Sequence, residues 1–146
     1  MPSQFNSLGI SFLYPENWTL DEEPAARGRG TVTIYSPGGA FFSVSVYPRG
    51  SNPIALAKQA VEAVQEEYSE VDVEEAQETV SGRDLVGFDL NFFCMDLTTT
   101  AKVRCLRGQR ATYVVFCQAE DRDFERLANV FQAITVSLLG NLGPTA

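Results

Sequence analysis

Residues 85–117 read LVGFDLNFFCMDLTTTAKVRCLRGQRATYVVFC and contain three apolar runs separated by a few polar residues. In the first run, 85–95, every second residue is apolar, which is the period of a strand with one buried face. The second and third runs, 101–106 and 112–117, are joined by the turn-like pair Gly108-Gln109. Connections this short join antiparallel strands, because a parallel pair needs a crossover of a dozen or more residues. The stretch therefore predicts an antiparallel meander, and its last run, apolar on both faces, predicts a central strand.

The remaining segments extend this sheet and add two helices. Alternating apolar residues predict strands over 10–14, 32–34 and 42–46, a short strand around 19–22, and a weaker, acidic strand over 71–80. Apolar residues at helical spacing predict one helix from Ser51-Asn52-Pro53 to about residue 69 and a second from about Asp121 to Gly140. The order predicts an α+β fold, in which two main helices pack on a mostly antiparallel sheet of six to seven strands.

The length and apolar content predict one independently folding unit. The chain has 146 residues and is 45% hydrophobic, and a chain of this size buries roughly two-thirds of its unfolded surface. Since no linker or repeat divides it, we predict a single domain over residues 1–146, with a core over about 8–139 and tails at 1–7 and 140–146. The chain begins without a leader-like segment and has no apolar run long enough to span a membrane. We therefore expect a cytoplasmic protein without membrane insertion.

The composition argues against several kinds of chemistry. The chain has no histidine, which removes imidazole as a metal ligand and as a catalytic base. Its net charge of −8 argues against nucleic-acid binding, which needs clustered Lys and Arg. No spacing brings two of the carboxylates Asp84, Asp89, Asp96 and Glu120 together for acid–base catalysis. We therefore predict no catalytic residue, no cofactor and no metal ligand, and expect that the chain is not an enzyme.

The three cysteines, Cys94, Cys105 and Cys117, lie within apolar runs. Their odd number and wide spacing predict buried free thiols rather than a disulfide framework or a zinc site. One alternative remains open at this stage. A hairpin that turned at Thr99-Thr100 would place Cys94 opposite Cys105, where a disulfide could form.

The segment from Glu62 to Glu78 is the most acidic part of the chain. It holds eight carboxylates and neither Lys nor Arg. Glu62, Glu66 and Glu70 are four residues apart, which predicts that they stack on one helix face, where like charges repel. We predict a docking surface for a protein with a basic surface, formed by Glu62, Glu66, Glu67 and Glu70. Such a run is also typical of a solvated face that aids solubility.

Three stretches resemble PsbP-like proteins. The opening Gly9-Ile10-Ser11-Phe12-x-Tyr14-Pro15-x-x-Trp18, the helix after Ser51-Asn52-Pro53 and the closing helix with Phe131-Gln132-Ala133-Ile134-x-x-Ser137-Leu138 fit their plan. That superfamily includes the extrinsic photosystem II subunit, Ran-binding nuclear-import factors of the Mog type and bacterial DcrB-like proteins. The resemblance implies a PsbP-like sandwich in which Trp18 is buried at one end of the sheet.

The resemblance also implies a function without catalysis. It suggests a protein-binding module, acting as an adaptor or a chaperone-like accessory protein. An alternative is a carrier that holds a small apolar ligand between sheet and helices, suggested by Phe88, Phe92 and Phe93. A groove beside the acidic helix would favour the first function, and a large enclosed apolar cavity would favour the second.

Overall fold

The computed structural model describes residues 2–26 and 29–143. Its elements in chain order are β1 (Ser3–Ser7), β2 (Ile10–Tyr14), β3 (Thr19–Pro24), β4 (Gly30–Tyr35), β5 (Phe41–Pro48), α1 (Pro53–Glu67), β6 (Asp72–Val80), β7 (Arg83–Cys94), β8 (Leu97–Arg107), β9 (Ala111–Glu120) and α2 (Asp121–Gly140). Within the described ranges, neither helix combines the length and apolar character that crossing a membrane requires.

Seven strands form one antiparallel sheet in the order β3-β4-β5-β9-β8-β7-β6, and β1 and β2 form a separate hairpin. The predicted α+β fold, with two helices packed on an antiparallel sheet, is confirmed. The predicted central strand is confirmed as well, because β9 pairs with β5 on one side and β8 on the other. Most of its residues are buried on both faces, which explains why its sequence lacks the usual polar alternation.

Each face of the sheet has its own hydrophobic core. On one face α1 packs mainly on β7, β8 and β9, with Ala57, Val61 and Val64 against buried residues of those strands. On the other face α2 and the β1-β2 hairpin enclose the larger core, which contains Phe12, Phe42 and many aliphatic side chains. The result is a three-layer arrangement, with α1 on one side of the sheet and α2 with the hairpin on the other.

The N-terminal segment departs from prediction. Residues 1–7 were expected to form a tail, but Ser3–Ser7 form β1, which pairs with β2 along its whole length. The sequence SQFNS has a single apolar residue and no alternation, so it carries no strand signal of its own. The chain reverses at Leu8 and Gly9, which both have positive φ, the geometry of a two-residue hairpin turn. Phe5 is thereby buried in the larger core.

Helix α1 begins as predicted and ends earlier than predicted. The Asn52 side chain accepts hydrogen bonds from the N–H groups of Ile54 and Ala55 and so caps the helix. The helix ends at Glu67, whereas the sequence predicted an end near residue 69. Tyr68 adopts an extended backbone conformation, and its ring stacks on Phe92 with 4.6 Å between the centroids. This contact with β7 draws the chain away from the helix axis.

The β7–β8 hairpin turns at a different place from the one that a disulfide would need. Cys94 pairs with Leu97, and the chain reverses at Met95-Asp96 instead of Thr99-Thr100. Cys105 lies opposite Val86, eight residues from Cys94 along the strand, or roughly 26 Å at the usual rise. The alternative pairing of Cys94 with Cys105 is therefore wrong. All three cysteines are free, as predicted.

Candidate functional site

A groove lies between α1 and the part of the sheet that α1 leaves incompletely covered. Its volume is about 570 Å³, and we call it the α1 groove. The wall consists of residues of α1 and its C-terminal cap: Leu56, Gln59, Ala60, Ala63, Val64, Glu67 and Tyr68. The floor consists of residues of β5 and β9: Phe41, Ser45, Tyr47, Val114, Phe116 and Gln118.

Aromatic rings of β5 and β9 meet at the floor of this groove, and a ring of β4 lies beside them. The rings of Phe41 and Phe116 are stacked with 5.7 Å between their centroids, and Tyr35 lies 6.0 Å from Phe41. Antiparallel pairing produces this cluster, because Tyr35 is directly opposite Phe41 and Phe116 opposite Ser43. Rigid aromatic side chains provide a large contact area with little loss of conformational freedom, and they are enriched among the residues that dominate binding.

The four predicted docking carboxylates are all exposed, but they do not form one surface. Glu67 lines the α1 groove, and it lies about 140° around the helix from Glu62 at ~100° per residue. Glu62 and Glu66 are four residues apart and share an exposed face. Glu70 lies beyond the end of the helix with a φ of 54°. The predicted stacking of Glu70 above Glu62 and Glu66 is therefore wrong, because Tyr68 leaves the helix two residues earlier.

The other four carboxylates of the acidic segment lie on β6, which is an edge strand of the sheet. They are Asp72, Glu74, Glu75 and Glu78. The opposite edge strand, β3, carries the acidic run Asp21-Glu22-Glu23. Charged side chains on an edge strand hinder pairing with a strand of another molecule. Protection of the sheet edge therefore explains half of the carboxylates in the acidic segment. It does not explain those on and after α1.

A second, smaller cavity lies between α2 and the sheet and has a volume of about 280 Å³. We call it the α2 cleft. Arg104 lies at its floor and is buried. Its Nε donates to Glu78 at 2.8 Å and its Nη2 to Asp89 at 2.7 Å, while Nη1 donates to the carbonyl oxygens of Phe88 and Val103. Burial acts to lower the pKa of Arg104, but the two carboxylates outweigh it and raise the pKa overall.

The arrangement around Arg104 points to a structural role. The guanidinium charge is matched by two carboxylates of the protein itself, and its remaining N–H groups reach backbone carbonyl oxygens. Lys102, the other cation of the α2 cleft, lies with its ammonium 5.4 Å from the centre of the Phe124 ring. The cleft therefore has no strong excess of charge with which to bind a small ion.

The thiols of Cys105 and Cys117 are unsuited to nucleophilic chemistry. Burial raises the pKa values of Cys105 and Cys117 to about 12, so both are protonated at neutral pH. Cys94 is half-buried, and its Sγ lies 3.6 Å from the Tyr68 hydroxyl oxygen. The interaction with Cys94, followed by burial, raises the pKa of Tyr68 to about 12. Among residues 2–26 and 29–143, no three side chains of the metal-binding types His, Cys, Asp and Glu converge.

Trp18 is buried, as predicted, with 8% of its surface exposed. Its indole ring meets Phe131 of α2 edge to face, with 6.1 Å between the centroids. The residue therefore belongs to the larger core and is not an exposed anchor for a partner.

The aromatic floor of the α1 groove was not predicted from the sequence. Phe41, Tyr47 and Phe116 come from two strands that are far apart in the chain, so no local motif unites them. A weak signal was present in β5, whose sequence FFSVSVYP points Phe42, Val44 and Val46 inward. The outward positions at the two ends of that strand are Phe41 and Tyr47, and aromatic residues on a solvent-facing side need an explanation.

Comparison with known proteins identifies the fold. No family model and no curated protein sequence matches the chain. Among solved structures, cyanobacterial PsbP from Synechocystis sp. PCC 6803 is similar, with a TM-score of 0.64 over 93% of this chain and 90% of that one, at 12% identity. A Pseudomonas aeruginosa protein of unknown function gives a TM-score of 0.54 over 99% and 98% of the two chains, also at 12% identity. A Bacteroides thetaiotaomicron structure gives 0.58 over 92% of this chain and 46% of that one, at 14% identity.

These similarities define the class of the protein at the level of architecture. The chain is an α+β sandwich with a PsbP-like fold, as the resemblance of its sequence implied. At 12–14% identity the likeness concerns the fold, and one fold serves many functions. The function has to be argued from the surfaces of this chain.

Proposed function

We propose that the protein is a non-enzymatic protein-binding module, an adaptor or accessory protein, and that it binds a basic segment of its partner in the α1 groove. The observation that carries this proposal is the groove itself: an aromatic floor, open to solvent, beside a helix with exposed carboxylates. Such a surface provides both apolar contact area and negative charge. A basic, extended segment of another protein matches it in both respects.

The chemistry of the groove suits Lys and Arg side chains. Their aliphatic stems pack on aromatic rings, and a cation over a ring face is attracted by about 0.5–2 kcal/mol. The stacked pair of Phe41 and Phe116 offers such faces, and Glu67 at the wall supplies the opposite charge. The amide side chains of Gln59 and Gln118 also line the groove and can hydrogen-bond to the backbone of an extended segment.

The alternative function, a carrier of a small apolar ligand, has less support. It was suggested by three phenylalanines of β7, of which Phe88 and Phe92 are packed into the core beneath α1. Phe93 faces outward. The cavities beside both helices are open clefts, and an open groove favours a macromolecular partner over a sequestered ligand. The protonated thiols and the internally matched Arg104 likewise support a role without catalysis.

The proposal is tested by filling the groove without disturbing the core. Ala63 is exposed and lines the α1 groove, so Ala63→Trp places a large ring where the partner segment would lie. Ala55 is exposed on the same helix, and Ala55→Trp is the matched control. The immobilised wild type and both variants are incubated with lysate of the source organism, and the retained proteins are quantified. We expect a protein that the wild type and Ala55→Trp retain and that Ala63→Trp loses by tenfold or more.

Two further results test the α1 groove and the carboxylates separately. If every retained protein binds the two tryptophan variants equally, the α1 groove is not the binding site. With the identified partner, Glu62, Glu66 and Glu70 are then changed to Gln, and association is measured at two ionic strengths. Electrostatic steering predicts a slower association rate for this variant at low salt and convergence with the wild type as salt screens the charges. If the variant associates at the wild-type rate at low salt, these carboxylates do not contribute to binding and form only a solvated face.

A further inference from the structure

The β7–β8 hairpin extends beyond its neighbouring strands. Strand β6 pairs with β7 only as far as Asn91, and β9 pairs with β8 only from Thr99. The segment between them ends in three large apolar side chains, with exposed fractions of 61% for Phe93, 90% for Met95 and 45% for Leu97. We call residues 93–97 the hairpin tip. Single exposed apolar residues are common, but three together on a projecting turn indicate a contact surface.

The turn at the hairpin tip has an unusual sequence for its geometry. Met95 and Asp96 have φ values of 52° and 64°, the left-handed region that two-residue hairpin turns require at both positions. Asn and Gly occupy such positions with little strain, whereas a methionine there is uncommon. A bulky apolar side chain that is 90% exposed is thus held in this turn at a conformational cost. If the Met95 side chain binds to another surface, that binding explains why the strained backbone is kept.

The surroundings of the hairpin tip are acidic. Asp96 lies in the turn itself, and Asp72 is paired with Asn91 at the base of the hairpin. Glu120 lies opposite Thr99, and the Asp121 carboxylate accepts a hydrogen bond from Thr100. These charges disfavour an anionic lipid surface. They favour a hollow that is apolar inside and bordered by arginines.

A groove with a mixed polar and apolar lining, bordered by arginines, lies at the opposite end of the same molecule. This groove of about 760 Å³, which we call the end groove, lies where β7 begins and β8 ends. Its accessible apolar lining comes from Pro53, Ile54 and Val86, which lie over the buried Cys105 and Leu106. Its charged lining comes from Arg83, Asp84 and Arg107. Arg49 and Arg110 are exposed in the neighbouring turns. The pairing of the strands therefore places these arginines at the end of the sheet that contains the end groove. It places the carboxylates named above at the end that contains the hairpin tip.

One arginine of the end groove has an unmet hydrogen-bonding requirement. Arg83 is 6% exposed, and its Nη2 donates to the carbonyl oxygen of Gly143. Its Nη1 is buried without an acceptor anywhere in ranges 2–26 and 29–143. A buried donor without an acceptor destabilises the fold. Because Nη1 itself is inaccessible, the arginines that a docked carboxylate would meet are the exposed Arg49, Arg107 and Arg110.

We infer that the hairpin tip of one copy of this chain binds in the end groove of a second copy. Strand β7 has 12 residues, or roughly 40 Å at ~3.3 Å per residue, so the two surfaces of one molecule cannot meet. Joining the tip of one copy to the end groove of the next gives a head-to-tail contact, which builds rings or filaments. The net charge of −8 opposes association over long distances, so the affinity is expected to be micromolar.

Sedimentation velocity, from micromolar to submillimolar concentration, tests this inference. Met95→Asp removes the apolar tip, and aspartate tolerates the left-handed backbone of that position. Ile54→Asp changes the end groove at a half-exposed residue in the first turn of α1, where a carboxylate suits the helix. The matched control is Val136→Asp, an exposed valine on α2 that lines neither surface. We expect the wild type and Val136→Asp to form larger species as concentration rises, and each of the other two variants to stay monomeric.

Mixing the two defective variants provides the decisive measurement. Met95→Asp retains a working end groove and Ile54→Asp a working tip, so equal amounts of the two should form a dimer and nothing larger. A wild type that stays monomeric at every concentration overturns the inference, as does self-association that both variants retain. A monomeric wild type that instead floats with phosphatidylcholine vesicles, and loses this with Met95→Asp, would assign the tip to a lipid surface. Ala63→Trp is expected to self-associate normally, so this test is independent of the proposed function.

Discussion

Removing the buried cation Arg104 should destabilise the protein less than removing the charges of its two carboxylate partners. Arg104 is fully enclosed, with 9% of its side chain exposed, whereas its partners Glu78 and Asp89 have 37% and 34% exposed. When Arg104→Met removes the cation, the two carboxylates can turn toward water and regain hydration. The loss is then two charge-assisted hydrogen bonds, of which rehydration recovers part, and the two bonds from Nη1 to the carbonyl oxygens of Phe88 and Val103. We expect ~2–3 kcal/mol of destabilisation.

Removing the charges of the two carboxylates instead should destabilise the protein more. Glu78→Gln together with Asp89→Asn keeps the shape of both side chains but leaves the guanidinium buried without a counter-charge, which destabilises by ~3–5 kcal/mol. Urea unfolding followed by circular dichroism measures both differences, with an unchanged slope as the check that the unfolded state is the same. If Arg104→Met proved the more destabilising of the two, burial of an unpaired guanidinium would not be the larger cost, and the predicted asymmetry would be refuted.

Three further predictions concern the core. Trp18→Ala should destabilise by ~3–5 kcal/mol, the usual range for a buried aromatic residue, and the native indole emission should be blue-shifted; an unchanged denaturation midpoint would contradict the observed packing. Cys105 and Cys117 should react with a thiol reagent only after unfolding, because burial keeps their pKa values near 12; rapid labelling of both native thiols would show otherwise. Gly87→Ala should destabilise by ~1–3 kcal/mol in the same urea assay, because an added Cβ would collide with the carbonyl oxygen of Val103; wild-type stability would argue against that close approach.

The sequence predicted those parts of the fold that depend on local patterns. The Asn52-Pro53 start of α1 and the double-sided burial of β9 both follow from a few adjacent residues. Where contacts between distant residues determine the start or end of an element, the sequence-based prediction was wrong. Helix α1 ends early because Tyr68 stacks on Phe92, a residue of another element. The polar strand β1 pairs with β2 and buries Phe5 in the larger core, and neither contact is visible in its own sequence.

The candidate site was predictable only in part for the same reason. Charge is visible in a sequence, so the carboxylates of α1 could be named, but their division between helix and edge strand could not. The end of the helix separates Glu70 from Glu66, and it depends on the packing of a tyrosine. The groove depends on sheet order, since β5 and β9 are neighbours in space but separated in the chain by a helix and three strands.

The α1 groove also follows from simple dimensions of the fold. Seven strands at ~4.8 Å spacing span roughly 29 Å, while a helix with its side chains is only about 10–12 Å across. On one face, α2 and the β1-β2 hairpin together enclose the larger core. On the other face, α1 packs mainly on three strands, and part of the sheet is left beside it. The side chains there include Phe41, Phe116 and Tyr35, whose rings α1 covers only in part, and the proposed function gives this partly exposed aromatic surface a role in addition to the packing of Phe116 against the smaller core.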